Sequence, residues 1–288
     1  MTLAFGTGIV TRFAPSPTGL LHLGHAHSAL LGYRAAHEGK GRFLLRIEDI
    51  DRTRCKPEFE AAIVEDLRWL GIAWEEPIRR QSDHFDDYAA ALQKLEGMGL
   101  LYPCFCSRKD IVAAASAPHE GDSVIYPGTC RALDPVLAAE RKAAGAPFGL
   151  RLDVAKAMRQ AGALTFCETE PDGSDWIETP ARPERFGDVV LGRRDTPASY
   201  HLCATLDDHR QGITLVIRGE DLRAAAHLHR LLQAVLGLAT PRYRHHVLLT
   251  NESGVRLSKR DGALALRSLR DRGMSANAVR AMARIHDV

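Results

Sequence analysis

Apolar segments along the chain alternate between strand-like and helix-like spacing. An apolar run at Val10–Phe13 breaks at the turn APSPTG and continues as a helix with an alanine-rich body over Ala26–Ala36. The run RFLLRI at Arg42–Ile47 has the composition of a buried strand, and Pro57–Leu70 has helical spacing. This alternation predicts an α/β fold with a Rossmann-like, doubly wound parallel sheet over residues 1–100.

The alternation breaks at Leu101 and resumes at Tyr200. The intervening segment carries cysteines, a stretch rich in alanine, glycine and proline, a short helical pattern and several short strand-like pieces. It predicts an inserted α+β domain, and strands are again expected at Ile213–Ile217 and His246–Leu249. The predicted division is 1–100 and 197–250 for the two halves of the nucleotide-binding domain, 101–196 for the insertion, and 251–288 for a closing segment.

The first strand, turn and helix form a candidate anion site. Gly19 and Gly24 permit positive φ or a close backbone approach, and the free N–H groups and dipole of a helix N-terminus attract a phosphate. His22 and His25 lie three residues apart on one face of the first helical turn. Spacing alone is explained equally well by two solvated histidines on an ordinary strand–turn–helix.

Two sequence motifs resemble those of a known family. PSPTGLLHLGH, which ends at His25, is similar to the nucleotide-binding signature of class I aminoacyl-tRNA synthetases of the glutamyl type, and RLSKR at 256–260 resembles their mobile lysine loop. The resemblance implies that His22, His25 and Lys259 stabilise the negative charge that develops when glutamate attacks ATP. It also implies ATP contacts from Gly24, Leu257 and Ser258, with Mg²⁺ bound to the ATP.

An acidic amino acid as substrate requires cationic partners for its carboxylates and an anionic partner for its amino group. Arg12, Arg218 and Glu48 have these charges, although the two arginines alone are better explained as surface or ion-pair residues. In the glutamyl-type family the positions that match six residues here contact glutamate. The resemblance therefore implies a glutamate site formed by Arg12, Ala14, Ser16, Glu48, Tyr200 and Arg218.

Three cysteines suggest a metal site. Cys104, Cys106 and Cys130 are one ligand short of a closed zinc site, and on spacing alone three inert buried thiols explain them slightly better than zinc does. The pattern C-x-C…Y-x₃-C resembles that of the glutamyl-queuosine tRNA(Asp) synthetases. This resemblance implies one structural zinc per chain with Tyr126 as fourth ligand, and His119 is a chemical alternative to the phenol.

The same branch of the family is indicated by the short segment after the lysine loop, which leaves no room for the anticodon-binding domain of longer glutamyl-tRNA synthetases. The resemblance implies a ligase that activates L-glutamate with ATP and without tRNA, then attaches it to queuosine in the anticodon loop of tRNA(Asp). Two alternatives remain open at this point. They are a truncated synthetase that charges the tRNA 3′ end, and a catalytically silent paralogue that binds nucleotide or tRNA.

Composition and charge limit the binding partners and the cellular compartment that the sequence is compatible with. The net charge of +2 is small, but residues 251–288 contain eight Lys or Arg and four Asp or Glu, which suits contact with phosphate. No apolar run reaches the length of about 18 residues typical of a membrane span, and the opening residues do not resemble a secretory signal. Six cysteines at uneven spacing indicate a reducing compartment. We expect a cytoplasmic protein with no membrane partner, and a monomer.

Overall fold

The computed structural model of the chain describes residues 8–107, 109–111, 125–170, 175–193, 198–249 and 265–283. Strands and helices alternate through the first 100 residues, as the apolar pattern predicts. The elements are β1 (Val10–Phe13), α1 (Leu23–Glu38), β2 (Arg42–Ile47), α2 (Pro57–Trp69), β3 (Glu75–Arg80) and α3 (Phe85–Gly97).

The remaining elements are shorter. The central region contains β4 (Leu101–Cys104), α4 (Pro135–Ala143), β5 (Gly149–Leu152), α5 (Val154–Ala161), β6 (Thr165–Thr169), β7 (Trp176–Pro180) and β8 (Val190–Arg193). The last part contains α6 (Tyr200–Arg210), β9 (Leu215–Gly219), α7 (Ala225–Leu236), β10 (Arg242–His246), α8 (Leu266–Asp271) and α9 (Ala276–Met282).

Two groups of parallel strands build the sheet. One group has the order β1-β2-β3 and the other the order β7-β6-β10-β9, in which only β7 is antiparallel to its neighbour. The groups meet where β1 approaches β9, since the Thr214 N–H donates to the Val10 carbonyl at 3.0 Å. This arrangement confirms the predicted Rossmann-like α/β fold with a parallel sheet.

The central region divides between two sheets. Strands β4, β5 and β8 form a separate antiparallel sheet, whereas the hairpin of β6 and β7 joins the parallel sheet through the pairing of Glu168 with Tyr243. The division at residues 101 and 196 remains a prediction. The described strands add that part of this segment extends the nucleotide-binding sheet.

One predicted strand has the wrong bounds. The strand expected at His246–Leu249 lies instead at Arg242–His246, in the sequence RYRHH. Tyr243 is its one fully buried residue. The other four residues are arginines and histidines, so the sequence lacks the apolar alternation by which a strand is recognised.

Helix α1 packs tightly on the sheet because its inner face is small. Ala26, Ala29 and Leu30 are fully buried, and a Cβ added at Gly32 would lie 3.1 Å from Cε2 of Phe43 on β2. The Thr11 hydroxyl donates to the Gly32 carbonyl at 2.8 Å, which fixes the helix on β1. With 16 residues, α1 is the longest described helix, and none of the described helices is long and apolar enough to cross a membrane.

A buried carboxyl joins α2 to α8. Asp66 is fully buried, and Nη1 of Arg270 lies 3.2 Å from its Oδ1. Burial raises the pKa of Asp66 to about 6, and Arg270 opposes that rise only in part. Because the folded-state pKa exceeds the unfolded value of about 3.9, ionisation of Asp66 destabilises the fold as pH rises from about 4 through 6.

We therefore expect Asp66→Asn to increase the free energy of unfolding at pH 7 by about 1–2 kcal/mol. The gain should shrink towards pH 4, where the wild-type carboxyl is protonated in both states. Urea unfolding of both proteins at pH 4, 5, 6 and 7 measures it. Glu140→Gln, which removes an exposed carboxylate on α4, is the control. A difference between wild type and Asp66→Asn that does not change with pH would contradict the assignment.

Candidate active site

A cavity of about 420 Å³ opens where β1, β2 and β9 end beside the N-termini of α1 and α6. Nine residues predicted for the site are among those that line it, and they come from five separate parts of the chain. They are Arg12, Ala14, Ser16, His22, Gly24, His25, Glu48, Tyr200 and Arg218. Leu257, Ser258 and Lys259 lie outside the described residues.

The two histidines cap the helix that carries them. Nδ1 of His22 accepts a hydrogen bond from the Gly24 N–H at 3.1 Å, and Nδ1 of His25 accepts one from the His22 N–H at 3.2 Å. A neutral imidazole that accepts through Nδ1 carries its proton on Nε2. Both rings therefore carry their proton on Nε2, and their centres lie 3.8 Å apart. A Cβ at Gly24 would lie 3.1 Å from Cε1 of His22, so glycine leaves room for the ring.

Arg12 is held by an aspartate on α6. Its Nε donates to Oδ1 of Asp208 at 2.9 Å, and its Nη2 lies 3.4 Å from Oδ2. Arg46, which is fully buried, donates to the same Oδ1 at 2.9 Å and to Oε1 of Glu48 at 3.3 Å. Asp208 thus holds two guanidinium groups, one of which orients the predicted partner of the substrate amino group.

A second aspartate, Asp207, holds the same helix through contacts with β3 and α3. Asp207 is fully buried and accepts hydrogen bonds from Arg79 Nε and Gln81 Nε2 at 2.8 Å each. The Tyr88 hydroxyl donates to it at 2.9 Å. Tyr200 is the first residue of α6, and Asp207 and Asp208 lie near the end of the same helix. The contacts of the two aspartates fix the helix on the sheet and therefore fix the position of Tyr200.

The pKa values of the two buried carboxyl groups in this network, Glu48 and Asp208, are shifted in opposite directions. Burial raises the pKa of Glu48, and the nearby Arg46 and Arg12 only partly offset it. Burial also acts to raise the pKa of Asp208, but Arg12 and Arg46 lower it further, so its pKa lies below the usual range. Asp208 is therefore the firmly ionised partner of the two arginines, and Glu48 is the carboxylate that gains most from an additional cation.

Arg218 differs from Arg12 in having no carboxylate partner among the described residues. Its Nη1 donates to the Tyr200 hydroxyl and its Nε to Nε2 of His245, both at 3.4 Å. Its Nη2 is buried and has no hydrogen-bond partner in the described part of the chain. A guanidinium that is only 5 % exposed, lines a cavity and keeps an unused donor is well suited to bind an anion.

Two histidines, the half-buried His201 and the buried His229, lie beside Tyr200. Nδ1 of His201 and Nε2 of His229 lie 3.2 Å apart. Burial, with a smaller contribution from Arg218, lowers the pKa of His201 to about 4, and burial lowers that of His229 as well. Both rings are neutral near pH 7, so the positive charge at this wall of the cavity belongs to Arg218.

The three predicted metal ligands come together at a different place. The Sγ atoms of Cys104, Cys106 and Cys130 all lie within 4.8 Å of one another, and those of Cys106 and Cys130 are 3.5 Å apart. A tetrahedral site with Zn–S bonds of about 2.3 Å separates its sulfurs by about 3.8 Å. The Tyr126 hydroxyl accepts the Cys130 N–H at 2.7 Å and lies 3.7 Å from Sγ of Cys106. The cluster can therefore bind a metal ion, and His119 lies outside the described residues.

Comparison with known proteins places this site in a family. Residues 8–285 match the family described as "tRNA synthetases class I (E and Q), catalytic domain". The chain is 49% identical over 278 residues to the glutamyl-Q tRNA(Asp) synthetase of Rhodobacter capsulatus, an alignment that covers 94% of this chain and 98% of the relative. The chain belongs to the glutamyl-Q tRNA(Asp) synthetase family of class I tRNA synthetases. It is therefore a ligase.

Longer members of the class are similar as well. The glutamate–tRNA ligase of Aquifex aeolicus is 38% identical over 272 residues, which cover 94% of this chain and 55% of the ligase. The crystal structure of a glutamate tRNA ligase from Elizabethkingia meningosepticum in complex with its amino acid superposes with a TM-score of 0.72 at 30% identity, over 88% of this chain and 52% of that chain. The chain spans about half the length of these two proteins.

A single substitution in the cysteine cluster tests whether it binds a metal ion. We expect Cys106→Ser to abolish bound metal and to lower the unfolding temperature, because removing one thiolate destroys a structural site and loosens the β4-β5-β8 sheet that carries it. Metal analysis of protein purified without added zinc, with a thermal melt, measures both. Burial raises the pKa of the Cys106 thiol to about 11, so binding must displace protons and should weaken in acid.

The control is Cys167→Ser, a half-buried cysteine on β6 outside the cluster, which should retain the metal. Well-folded, active wild type without metal would contradict the site. Metal retained after Tyr126→Phe would keep the site and remove the phenol from it.

Proposed function

We propose that the protein activates L-glutamate with ATP to form glutamyl-adenylate and then transfers the glutamyl group to queuosine in the anticodon loop of tRNA(Asp). One observation carries the first step: Arg218, a buried guanidinium with an unused donor, shares a cavity with Arg12 and Glu48. The second step is supported by the named activity of the Rhodobacter capsulatus relative, which this chain matches over nearly its whole length.

The charges of the cavity match those of glutamate. Arg218 provides a guanidinium for one carboxylate, and Arg12, whose Nε and Nη2 are engaged by Asp208 and whose Nη1 donates to the Ile217 carbonyl at 3.5 Å, provides the positive charge for the other. Glu48 receives the ammonium group, which supplies the additional cation that its burial favours. Ala14, Ser16 and Tyr200 complete the walls around the substrate.

The ATP triphosphate would lie at the N-terminus of α1. The Nε2–H groups of His22 and His25 donate to phosphate oxygens as negative charge builds on the α-phosphate. Gly24 keeps the backbone close, while Leu257, Ser258 and Lys259 contribute from the lysine loop, as the family resemblance implies. Mg²⁺ accompanies the ATP and neutralises part of its charge.

Transfer requires a nucleophile from the tRNA. A hydroxyl of the modified base attacks the acyl carbon of glutamyl-adenylate, its proton leaves, and AMP departs with the electron pair of the broken acyl–phosphate bond. The protein's part is to hold the adenylate in the cavity and to present the base at its open side.

The ion of the cysteine cluster is proposed to be a structural zinc, with Cys104, Cys106, Cys130 and Tyr126 as ligands. The donor set of three thiols favours a soft-binding ion such as zinc over Mg²⁺. The zinc would close the loop between β4 and Cys130. The zinc ligands are separate from the residues that line the cavity proposed for glutamate activation.

Glutamate activation is expected to proceed without tRNA. We predict ATP–pyrophosphate exchange with glutamate alone, and exchange at least tenfold weaker with glutamine or aspartate at equal concentration. Glutamine lacks the second carboxylate for Arg12 and Arg218, and aspartate is one methylene too short to span them, a difference of about 1–3 kcal/mol.

An exchange that appears only after tRNA is added would contradict the proposal that the activating groups are complete in the protein. Equal rates with glutamine would contradict the pairing of both carboxylates with arginine.

A further inference from the structure

Two more cavities lie beside the active-site cavity. The second, of about 280 Å³, shares Ser16, Thr18, Glu48 and Tyr200 with the first. The third is a groove of about 770 Å³ that shares Val190 and Arg193 with the second. The three spaces are neighbours, and β8 lies between the second cavity and the groove and contributes Val190 and Arg193 to both.

The groove has two aromatic rings with cations beside them. Phe105 and Phe148 line it with ring centres 5.7 Å apart and planes tilted by 49°. Arg141 Cζ lies 5.6 Å from the Phe105 ring centre, and Lys142 Nζ lies 4.9 Å from that of Phe148. Proteins hold unstacked bases of single-stranded RNA with aromatic rings and nearby cations of this kind.

The charge of the groove also suits RNA. Arg151 and Arg193 line it together with Cys104 and Cys106 of the cysteine cluster, and no carboxylate does so among the described residues. Arg151 is 8% exposed, its Nη1 donates to the Asp188 carbonyl, and its Cζ lies 3.8 Å from the Tyr126 ring centre, so this cation is held in the wall of the groove. Arg193 is exposed at the junction with the second cavity. The exposed Arg193, with the buried positive charge of Arg151 in the wall behind it, favours a phosphate-bearing ligand over an apolar partner.

We propose that this groove, lined by Phe105, Phe148, Arg151 and Arg193, binds one unstacked nucleotide of an RNA loop. Its base lies against the two rings and its phosphate against Arg193. If the proposed function holds, this nucleotide is a neighbour in the loop of the one that carries the modified base. The groove therefore serves RNA recognition and not glutamate activation.

Phe148→Leu should weaken binding of queuosine-containing tRNA(Asp) roughly tenfold, because one base–aromatic contact is lost. Arg193→Gln should also weaken it and should reduce the slope of log affinity against log salt by about 0.7. Filter binding or fluorescence titration at several salt concentrations measures both. Glutamate-dependent pyrophosphate exchange should stay at the wild-type rate in both variants.

The controls are Phe59→Leu, another half-buried phenylalanine with a lysine near its ring, and Arg159→Gln, an exposed arginine on α5. Neither residue lines the three cavities. Wild-type affinity in both Phe148→Leu and Arg193→Gln would overturn the proposal. If Phe148→Leu lowered exchange or stability, the surface variant Arg193→Gln would decide the question by itself.

Direct binding separates this inference from the proposed function. A wild type that binds tRNA(Asp) through these residues without glutamylating it would contradict the proposed transfer and support the groove. Variants that bind and glutamylate as the wild type does would contradict the groove and leave the transfer intact.

Discussion

Arg218→Gln should raise the Michaelis constant for glutamate by about 30-fold or more, with a much smaller change in turnover at saturation. Loss of one member of a buried charge pair costs about 2–5 kcal/mol, and this pair exists already when glutamate binds. Pyrophosphate exchange at varied glutamate concentration measures both constants. The same variant should also reduce the ratio of kcat/KM for glutamate to that for glutamine. Without Arg218 the site has lost a cation that pairs with a carboxylate of glutamate but not with the side-chain amide of glutamine.

The unliganded protein should respond in the opposite direction. Because Nη2 of Arg218 is buried without a hydrogen-bond partner among the described residues, Arg218→Leu should unfold at the same or a higher temperature than wild type. Arg42→Gln, which removes an exposed arginine paired with Glu75, is the control for both measurements. An Arg218 variant that loses stability but keeps its affinity for glutamate would show that the residue is structural.

Replacing the two histidines should have the largest effect on turnover. His22→Asn and His25→Gln should each lower kcat of pyrophosphate exchange by roughly 100- to 1000-fold, the usual loss for one donor to developing charge. Both replacements retain an acceptor for the backbone N–H groups that the imidazoles now cap, so the helix should keep its N-terminus. The Michaelis constant for glutamate should change little.

His37→Asn is the matched control, because His37 is exposed at the far end of the same helix. Variants of His22 or His25 that keep wild-type kcat but bind ATP more weakly would assign these residues to ground-state binding. Loss of thermal stability in parallel with kcat would show that capping explains the effect.

The local motifs of the cavity could be predicted because their residues lie within a few positions of each other. PSPTGLLHLGH specifies a strand end, a turn and a helix start, and the structure brings these to the edge of the parallel sheet beside Glu48. The resemblance to a family then supplied Arg12, Tyr200 and Arg218, which residue chemistry alone did not separate from ordinary ion-pair or core residues.

The network that orients these groups could not be predicted. Asp207 and Asp208 stand as an adjacent acidic pair in the helical sequence YHLCATLDDHR, which reads equally well as a solvated end of a helix. The partners of Asp208, Arg12 and Arg46, are 196 and 162 positions away from it, and only the tertiary fold buries these residues together. No local spacing reports such a contact.

The sheet shows the same limit. Strand β3 has the sequence EEPIRR, whose charged residues give no strand pattern, yet it pairs in parallel with β2. Its cations are used in tertiary contacts, since Arg79 binds Asp207 and Arg80 binds Glu60. By contrast, the cysteine cluster followed the family pattern, because C-x-C and Y-x₃-C each bring their ligands close through local turns.

The most direct test of the proposed function is to locate the glutamate on the tRNA. Labelled glutamate and ATP would be incubated with the protein and either queuosine-containing tRNA(Asp) or the same tRNA without queuosine, followed by nuclease mapping and mild alkaline release of the label. We predict label only on the anticodon-loop fragment of the queuosine-containing tRNA, and its release by alkali. Label on the 3′-terminal adenosine, or equal label on the tRNA that lacks queuosine, would contradict the proposal.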